Sequence, residues 1–189
     1  MRIVAGDLRG RPIRAPEGQG TRPTSDRARQ AVFNILEHAA WADGVEGLRV
    51  IDLFAGSGAM GLEALSRGAD ACLFVETAEP ALAALTGNIE ALKVNERAQV
   101  LRLDATRLPP RGAAEPPFDL AFLDPPYGKA LGAAALAAIL DGGWLAPGGL
   151  AVLERSAGEA ALDAPGWDML DERRYGAAVV AFLKLNVTD

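Results

Sequence analysis

The sequence predicts an α/β domain built on a mostly parallel sheet with helices on both faces. Three observations predict it. From Leu48 onward, segments of strand and helix character alternate, which is the pattern of a parallel sheet with crossover helices. The first, second and fourth strands are nearly continuous apolar runs, as expected of strands covered on both faces. The first strand then runs directly into a glycine turn and the start of a helix at Val50–Gly61.

Taken in order, the strand candidates are Arg49–Phe54, Ala71–Glu76, Gln99–Asp104, Phe118–Asp124 and Leu150–Glu154. The helices between them are Ala59–Arg67, Glu79–Val94 and Ala130–Leu140. The tail differs: Trp167–Tyr175 and Ala178–Leu185 flank Gly176 and read as an antiparallel pair joined by a tight turn. Ahead of the sheet, residues 2–6 and 11–14 alternate around Gly6 to Gly10 and predict a short hairpin. Pro16 to Pro23 reads as a loop. A helix follows, capped by Thr24 or Ser25, with Val32, Ile35, Leu36 and Ala39 as its apolar stripe.

With 189 residues, 50% of them hydrophobic and 23% charged, the chain holds one domain with a real core. One cysteine, Cys72, excludes an internal disulfide framework and an all-cysteine zinc site. One histidine, His38, excludes histidine-cluster metal sites, and no metal is expected. The N-terminus lacks the apolar stretch of a signal peptide, and the run near Ala133 to Leu140 is far short of a membrane span. A soluble cytoplasmic protein with no membrane partner is expected.

The net charge of −6 is unevenly spread. Residues 1–29 hold seven arginines (Arg2, Arg9, Arg11, Arg14, Arg22, Arg27, Arg29) against three acids, while the other 160 residues carry twelve basic and 22 acidic groups. A basic arm on an acidic body is suited to localised phosphate contact, and arginine is the side chain that forks onto phosphate. A solvated N-terminal loop explains the charge equally well. Arg27 and Arg29 fall in the first helical turn, where a cation opposes the helix dipole at about a few tenths of a kcal/mol. Such a local misfit points to arginines that face a ligand.

Gly56, Gly58 and Gly61 satisfy G-x-G-x-x-G, a motif that permits a sharp turn and close approach of a ligand to the main chain. Alone it is shared by nicotinamide and flavin enzymes. Asp52 stands four residues before the first glycine; a carboxylate there repels a pyrophosphate and suits an ammonium group. Glu76 ends the second strand, placed to accept from both ribose hydroxyls. Asp104, followed by Ala105, ends the third strand and suits an adenine amino group. One strand-end acid is an ordinary loop solubiliser; three in register with a glycine turn match an amine, a ribose and an adenine, the parts of S-adenosylmethionine.

The fourth strand ends in Asp124-Pro125-Pro126-Tyr127. Two prolines stiffen the turn and remove two backbone donors. The Asp124 carboxylate and the Pro125 carbonyl remain as acceptors, and Tyr127 adds an aromatic plate worth ~1–3 kcal/mol in base stacking. The set fits a planar exocyclic amine: two acceptors take its two N–H groups and favour pyramidalisation, which exposes the lone pair. An electrophilic methyl group held in line at attack distance completes the reaction.

The Asp52–Gly58 strand and turn, with Asp124 to Tyr127, resemble the class I S-adenosylmethionine-dependent amino-methyltransferases. Arg22 to Arg29 leading into Ala31 to Leu36, and the opening Arg2-Ile3-Val4-Ala5-Gly6, further resemble the RsmD family of 16S rRNA guanine-N2 methyltransferases. The resemblance spans nearly the whole chain; Lys93-Val94-Asn95 departs from the more usual Leu-Gly. It implies a Rossmann-like sheet of seven strands in the order 3-2-1-4-5-7-6 and a β-hairpin arm. Residues 1–23 would be the basic hairpin and loop for RNA contact, and residues 24–189 the methyltransferase domain. S-adenosylmethionine would be held by Asp52, Ala55, Gly56, Gly58, Glu76, Asp104 and Ala105. Asp124, Pro125, Pro126 and Tyr127 would hold the guanine, and Arg9, Arg11, Arg14, Arg22, Arg27 and Arg29 the RNA of the small ribosomal subunit. A monomer is expected.

Other readings are a DNA adenine-N6 methyltransferase, which shares the D-P-P-Y chemistry, a non-catalytic RNA-binding protein on the same fold, and an NAD-dependent oxidoreductase. A protein glutamine methyltransferase would be expected to show Asn in place of Asp124, because an amide substrate also offers a carbonyl that wants a donor.

Overall fold

Seven strands form one sheet in the order β3-β2-β1-β4-β5-β7-β6, the order the resemblance implies. The computed structural model describes residues 1–16, 26–128 and 131–186. The strands are β1 (Arg49–Leu53), β2 (Ala71–Val75), β3 (Ala98–Leu101), β4 (Phe118–Leu123), β5 (Leu145–Ser156), β6 (Trp167–Tyr175) and β7 (Ala178–Leu185). The helices are α1 (Asp26–His38), α2 (Ala59–Ser66), α3 (Glu79–Leu92) and α4 (Leu131–Gly142). Strands β1 to β5 pair in parallel, and β7 pairs antiparallel with both β5 and β6. Loops leave β1 in opposite directions from those of its neighbour β4, so a crevice opens between their carboxyl ends, where doubly wound sheets bind ligands.

Successive strand residues point to opposite faces of a sheet, and the core divides accordingly. Val50, Phe74, Phe122, Val152 and Phe182 pack with Val32, Phe33 and Leu36 of α1, Leu62 and Leu65 of α2, and Leu85 of α3. Ile51, Leu73, Ala121, Leu123 and Leu153 pack on the other face with Leu136 and Ile139 of α4 and Trp144. Cys72 is buried, Trp41 packs against Phe182 in a tilted arrangement, and Trp144 and Trp167 are core residues. Among the described residues no helix is long and apolar enough to cross a membrane.

The N-terminal segment is a turn with a single antiparallel bridge, Arg2 to Pro12, rather than two full strands. Its hydrogen bonds go mostly to the body. Val4 and Ala5 donate backbone N–H groups to the Glu63 carboxylate at 2.8 and 2.9 Å. Asp7 N–H donates to the Ser66 carbonyl at 2.8 Å, and Leu8 N–H to the Ser66 hydroxyl at 2.9 Å. Gly6 sits at φ +76°, and a Cβ there would lie 1.8 Å from the Ser66 carbonyl oxygen. Ile3 and Ile13 are buried in the α1–α3 core.

Two expectations about secondary structure are corrected. Strand β3 ends at Leu101, so Asp104 does not end it but lies in the following loop. Polar alternation in Arg102-Leu103-Asp104 mimics an edge strand, yet the single neighbour β2 ends at Val75 opposite Leu101, so these residues have no strand to pair with. Strand β1 ends at Leu53 because Phe54 turns into the left-handed region at φ 59°. The proposed Thr24 and Ser25 caps and most of the Pro16–Pro23 loop lie outside the described residues.

Candidate active site

The site begins with a row of residues one step beyond the last positions at which β2, β1, β4 and β5 pair in parallel. Leu53 pairs with Val75 and with Leu123, and Leu123 pairs with Leu153. The next residues are Glu76, Phe54, Asp124 and Glu154, with Asp52 one layer deeper. Three acids therefore stand abreast above a fourth.

The glycine turn is positioned by its own backbone and by Glu76. Ala55 N–H donates to the Val75 carbonyl at 3.1 Å and Gly58 N–H to the Ala55 carbonyl at 2.7 Å. Gly56 N–H donates to Glu76 Oε2 at 2.9 Å, while Thr77 and Ala78 N–H groups donate to Oε1 at 2.7 and 2.9 Å. The three glycines do different work. A Cβ on Gly58 would lie 2.4 Å from Leu85 Cδ1, and one on Gly61 would lie 2.4 Å from Phe74 and 2.5 Å from Cys72 Sγ. These two let helix α2 pack on the sheet. A Cβ on Gly56 would meet only the carbonyl of Phe54, at 3.9 Å; its open side is the one available to a ligand.

Asp52 is buried, and its Oδ2 accepts the Gly61 N–H at 2.9 Å. Burial raises its pKa from 3.8 to about 8; the Gly61 bond opposes this, and the charges of Asp124 and Glu76 add to it. Asp104 is exposed and accepts the hydroxyl and N–H of Thr106 at 2.7 and 2.9 Å. The hydroxyl bond and then the backbone bond hold its pKa below the ordinary value. Ala105 beside it is buried.

Asp124 and Tyr127 are half-buried, Pro125 is buried and Pro126 is exposed. The Tyr127 hydroxyl donates to Glu154 Oε1. Asp124 and Glu154 line a shallow, solvent-open cleft with Val32, Met60, Phe122 and Val180. Glu154 and Met60 are site residues that sequence reasoning missed. A signal for Glu154 existed: it closes the predicted strand Leu150–Glu154 as Glu76 closes the second.

The basic residues separate into two groups. Arg9, Arg11, Arg14 and Arg27 are exposed, and Arg11 donates to the Ala91 carbonyl at 2.7 Å. Arg29 is not a ligand-facing arginine. It is fully buried, with Nε 3.3 Å from Glu63 and Nη2 2.9 Å from Asp26 and bonded to the Arg2 carbonyl. The misfit with the helix dipole is offset by these carboxylates, not by a ligand. Arg22 lies outside the described residues. Among the described residues no group of His, Cys, Asp and Glu is arranged to hold a metal ion.

A doubly wound sheet in this strand order, with a glycine turn after β1 and an acid-proline turn after β4, defines a class I methyltransferase. The family model described as Conserved hypothetical protein 95 matches residues 1–184. Ribosomal RNA small subunit methyltransferase D of Haemophilus influenzae is 32% identical over 177 residues, covering 93% of this chain and 89% of that protein. The protein of the same name from Escherichia coli K12 is 35% identical over 154 residues, covering 82% of this chain and 74% of that one. The solved structure of yhhF from Escherichia coli superposes with a TM-score of 0.83 at 30% identity, covering 100% of this chain and 99% of that chain. The chain belongs to this family, the RsmD methyltransferases.

Proposed function

We propose that this protein transfers the methyl group of S-adenosylmethionine to the exocyclic N2 amine of a guanine in 16S rRNA of the small ribosomal subunit, acting as a monomer. The observation that carries the reading is the placement of Asp124: it stands abreast of the glycine turn and lines a solvent-open cleft beside it. The relatives that carry the name of small-subunit rRNA methyltransferase support the RNA as substrate.

The residues fit the cofactor. Gly56 leaves its ligand side open, and burial, with smaller additions from the charges of Asp124 and Glu76, raises the Asp52 pKa, a cost that a cationic ligand would relieve. When bound, S-adenosylmethionine supplies an electrophilic methyl group. Gly56 and Gly58 would admit it, Ala55 and Asp52 would receive its amino-acid end, Glu76 its ribose, and Asp104 with Ala105 its adenine. Asp124 and the Pro125 carbonyl would accept the two N–H groups of the target amine, Pro126 would hold the turn rigid, and Tyr127 would cover the ring. Such acceptors favour a pyramidal amine with its lone pair directed at the methyl carbon. Formation of the N–C bond would be matched by loss of the donor's S–CH3 bond, with the sulfur leaving as a neutral thioether, and the surplus amine proton would pass to Asp124 or to water. Arg9, Arg11, Arg14, Arg22 and Arg27 would contact the RNA backbone.

Tritiated methyl transfer from S-adenosylmethionine onto small subunits lacking the modification, followed by nucleoside mapping, tests the reading. Label in N2-methylguanosine at one nucleotide is the expected result. Label in another nucleoside, or none, refutes it.

A further inference from the structure

The acid-proline turn explains capture of an amine but not the choice of base, since adenine presents an amine as well. Glu154 supplies a second acceptor in the same cleft. It follows Leu153, whose partner Leu123 precedes Asp124, so the two acids stand abreast on adjacent parallel strands, about 4.8 Å apart at the backbone. The walls around Glu154 are otherwise apolar: Val32, Met60, Val152 and Val180. Glu154 itself is half-buried at this solvent-open cleft. Glu154 Oε1 takes the Tyr127 hydroxyl; Oε2 makes no hydrogen bond among the described residues. Tyr127 thus orients Glu154 and leaves its second oxygen for another donor.

We infer that Glu154 is a specificity-determining acceptor for the guanine N1–H. The inference rests on the proposed reading of Asp124. Guanine carries N1–H directly beside its N2 amine, so a base whose amine is gripped by Asp124 presents N1–H to the neighbouring strand. Adenine carries a lone pair at N1 beside its amine, and cytosine one at N3. Either lone pair would face the Glu154 carboxylate, which lacks a proton to offer. Discrimination therefore combines a bond made with guanine and a repulsion raised against the other bases.

The test uses 2-aminopurine, which keeps the 2-amino group but has a lone pair at N1. Small subunits are reconstituted from 16S rRNA ligated to carry guanine or 2-aminopurine at the mapped target nucleotide. Wild-type protein should favour guanine by roughly 10- to 100-fold in kcat/KM, the range for a base-edge hydrogen bond made in one case and opposed in the other. Glu154→Gln, whose amide can donate to N1, should lose guanine activity and narrow that ratio to about threefold or less. Tyr127→Phe, which releases Glu154, should narrow it part of the way. Equal wild-type activity on both substrates overturns the inference, whatever the variants do. So does a Glu154→Gln ratio that stays at the wild-type value. If wild-type protein methylates neither substrate, the proposed function fails and this inference fails with it.

Discussion

Asp52→Asn isolates the electrostatics of the cofactor crevice. In the folded chain Asp52 has its pKa raised from 3.8 to about 8, first by burial and then by the charges of Asp124 and Glu76. The unfolded chain ionises near the ordinary value. Between about pH 4 and 8 the native state therefore holds one proton that the unfolded state has lost. Stability from this group is fully present below pH 4 and is lost as pH rises through 8, at about 1.4 kcal/mol per pH unit. The whole window amounts to ~6 kcal/mol. Asparagine keeps an oxygen for the Gly61 N–H and cannot ionise. Urea unfolding of both proteins at pH 5 to 9, without ligand, should show the variant gaining on wild type with each unit up to pH 8 and levelling thereafter. Other titrating groups are common to both proteins and cancel in the difference. The same substitution should weaken S-adenosylmethionine binding, because a cation no longer meets a carboxylate. A stability difference that stays constant from pH 5 to 8 would refute the assignment of a high pKa to Asp52.

Other substitutions separate chemistry, RNA binding and scaffold. Asp124→Ala should abolish methyl transfer while calorimetry still detects S-adenosylmethionine binding; retained turnover would remove the role assigned to this carboxylate. Replacing Arg9, Arg11 and Arg14 with alanine should weaken RNA binding and flatten its salt dependence by roughly one unit of slope for each phosphate no longer neutralised, and an unchanged slope would mark them as solvated residues. Glu63→Ala should lower the unfolding free energy by about 3–5 kcal/mol, because it removes the buried carboxylate that Arg29, Arg67 and two N-terminal amides share. Chemical denaturation measures that loss, and a change under about 1 kcal/mol would show the ion pairs to be dispensable.

The features legible in the sequence are those written in local patterns. Apolar runs at residues 50–54, 71–75 and 118–123 marked the central strands, and the Gly176 turn marked the antiparallel tail, because period and turn chemistry act over a few residues. The strand order needed the family resemblance, since nothing local in β6 or β7 says which edge they join. What stayed hidden depends on long-range partners. Arg29 looks like a surface cation until Glu63, 34 residues later, is folded against it. Asp104 looks like a strand end until the sheet edge leaves Arg102 to Asp104 unpaired. Glu154 passed as the polar end of a strand because its meaning comes from Asp124 on the neighbouring strand.

The same partners show how the N-terminal segment serves the crevice. Asn88 of α3 is buried and accepts the Arg14 N–H while donating to the Arg14 carbonyl, each at 2.9 Å. Its amide also donates to the carbonyl of Ser57, at 2.9 Å, inside the glycine turn. The far end of the segment is fixed to Glu63 and Ser66 of α2, the helix that the turn begins. The basic segment is thus tied at one end to the helix and at the other to its first loop. Exposed Arg9, Arg11 and Arg14 are thereby held at a set distance from Gly56 and Asp124. A chain with a net charge of −6 would repel RNA over most of its surface, so under the proposed function a fixed basic strip would select the orientation in which the RNA approaches.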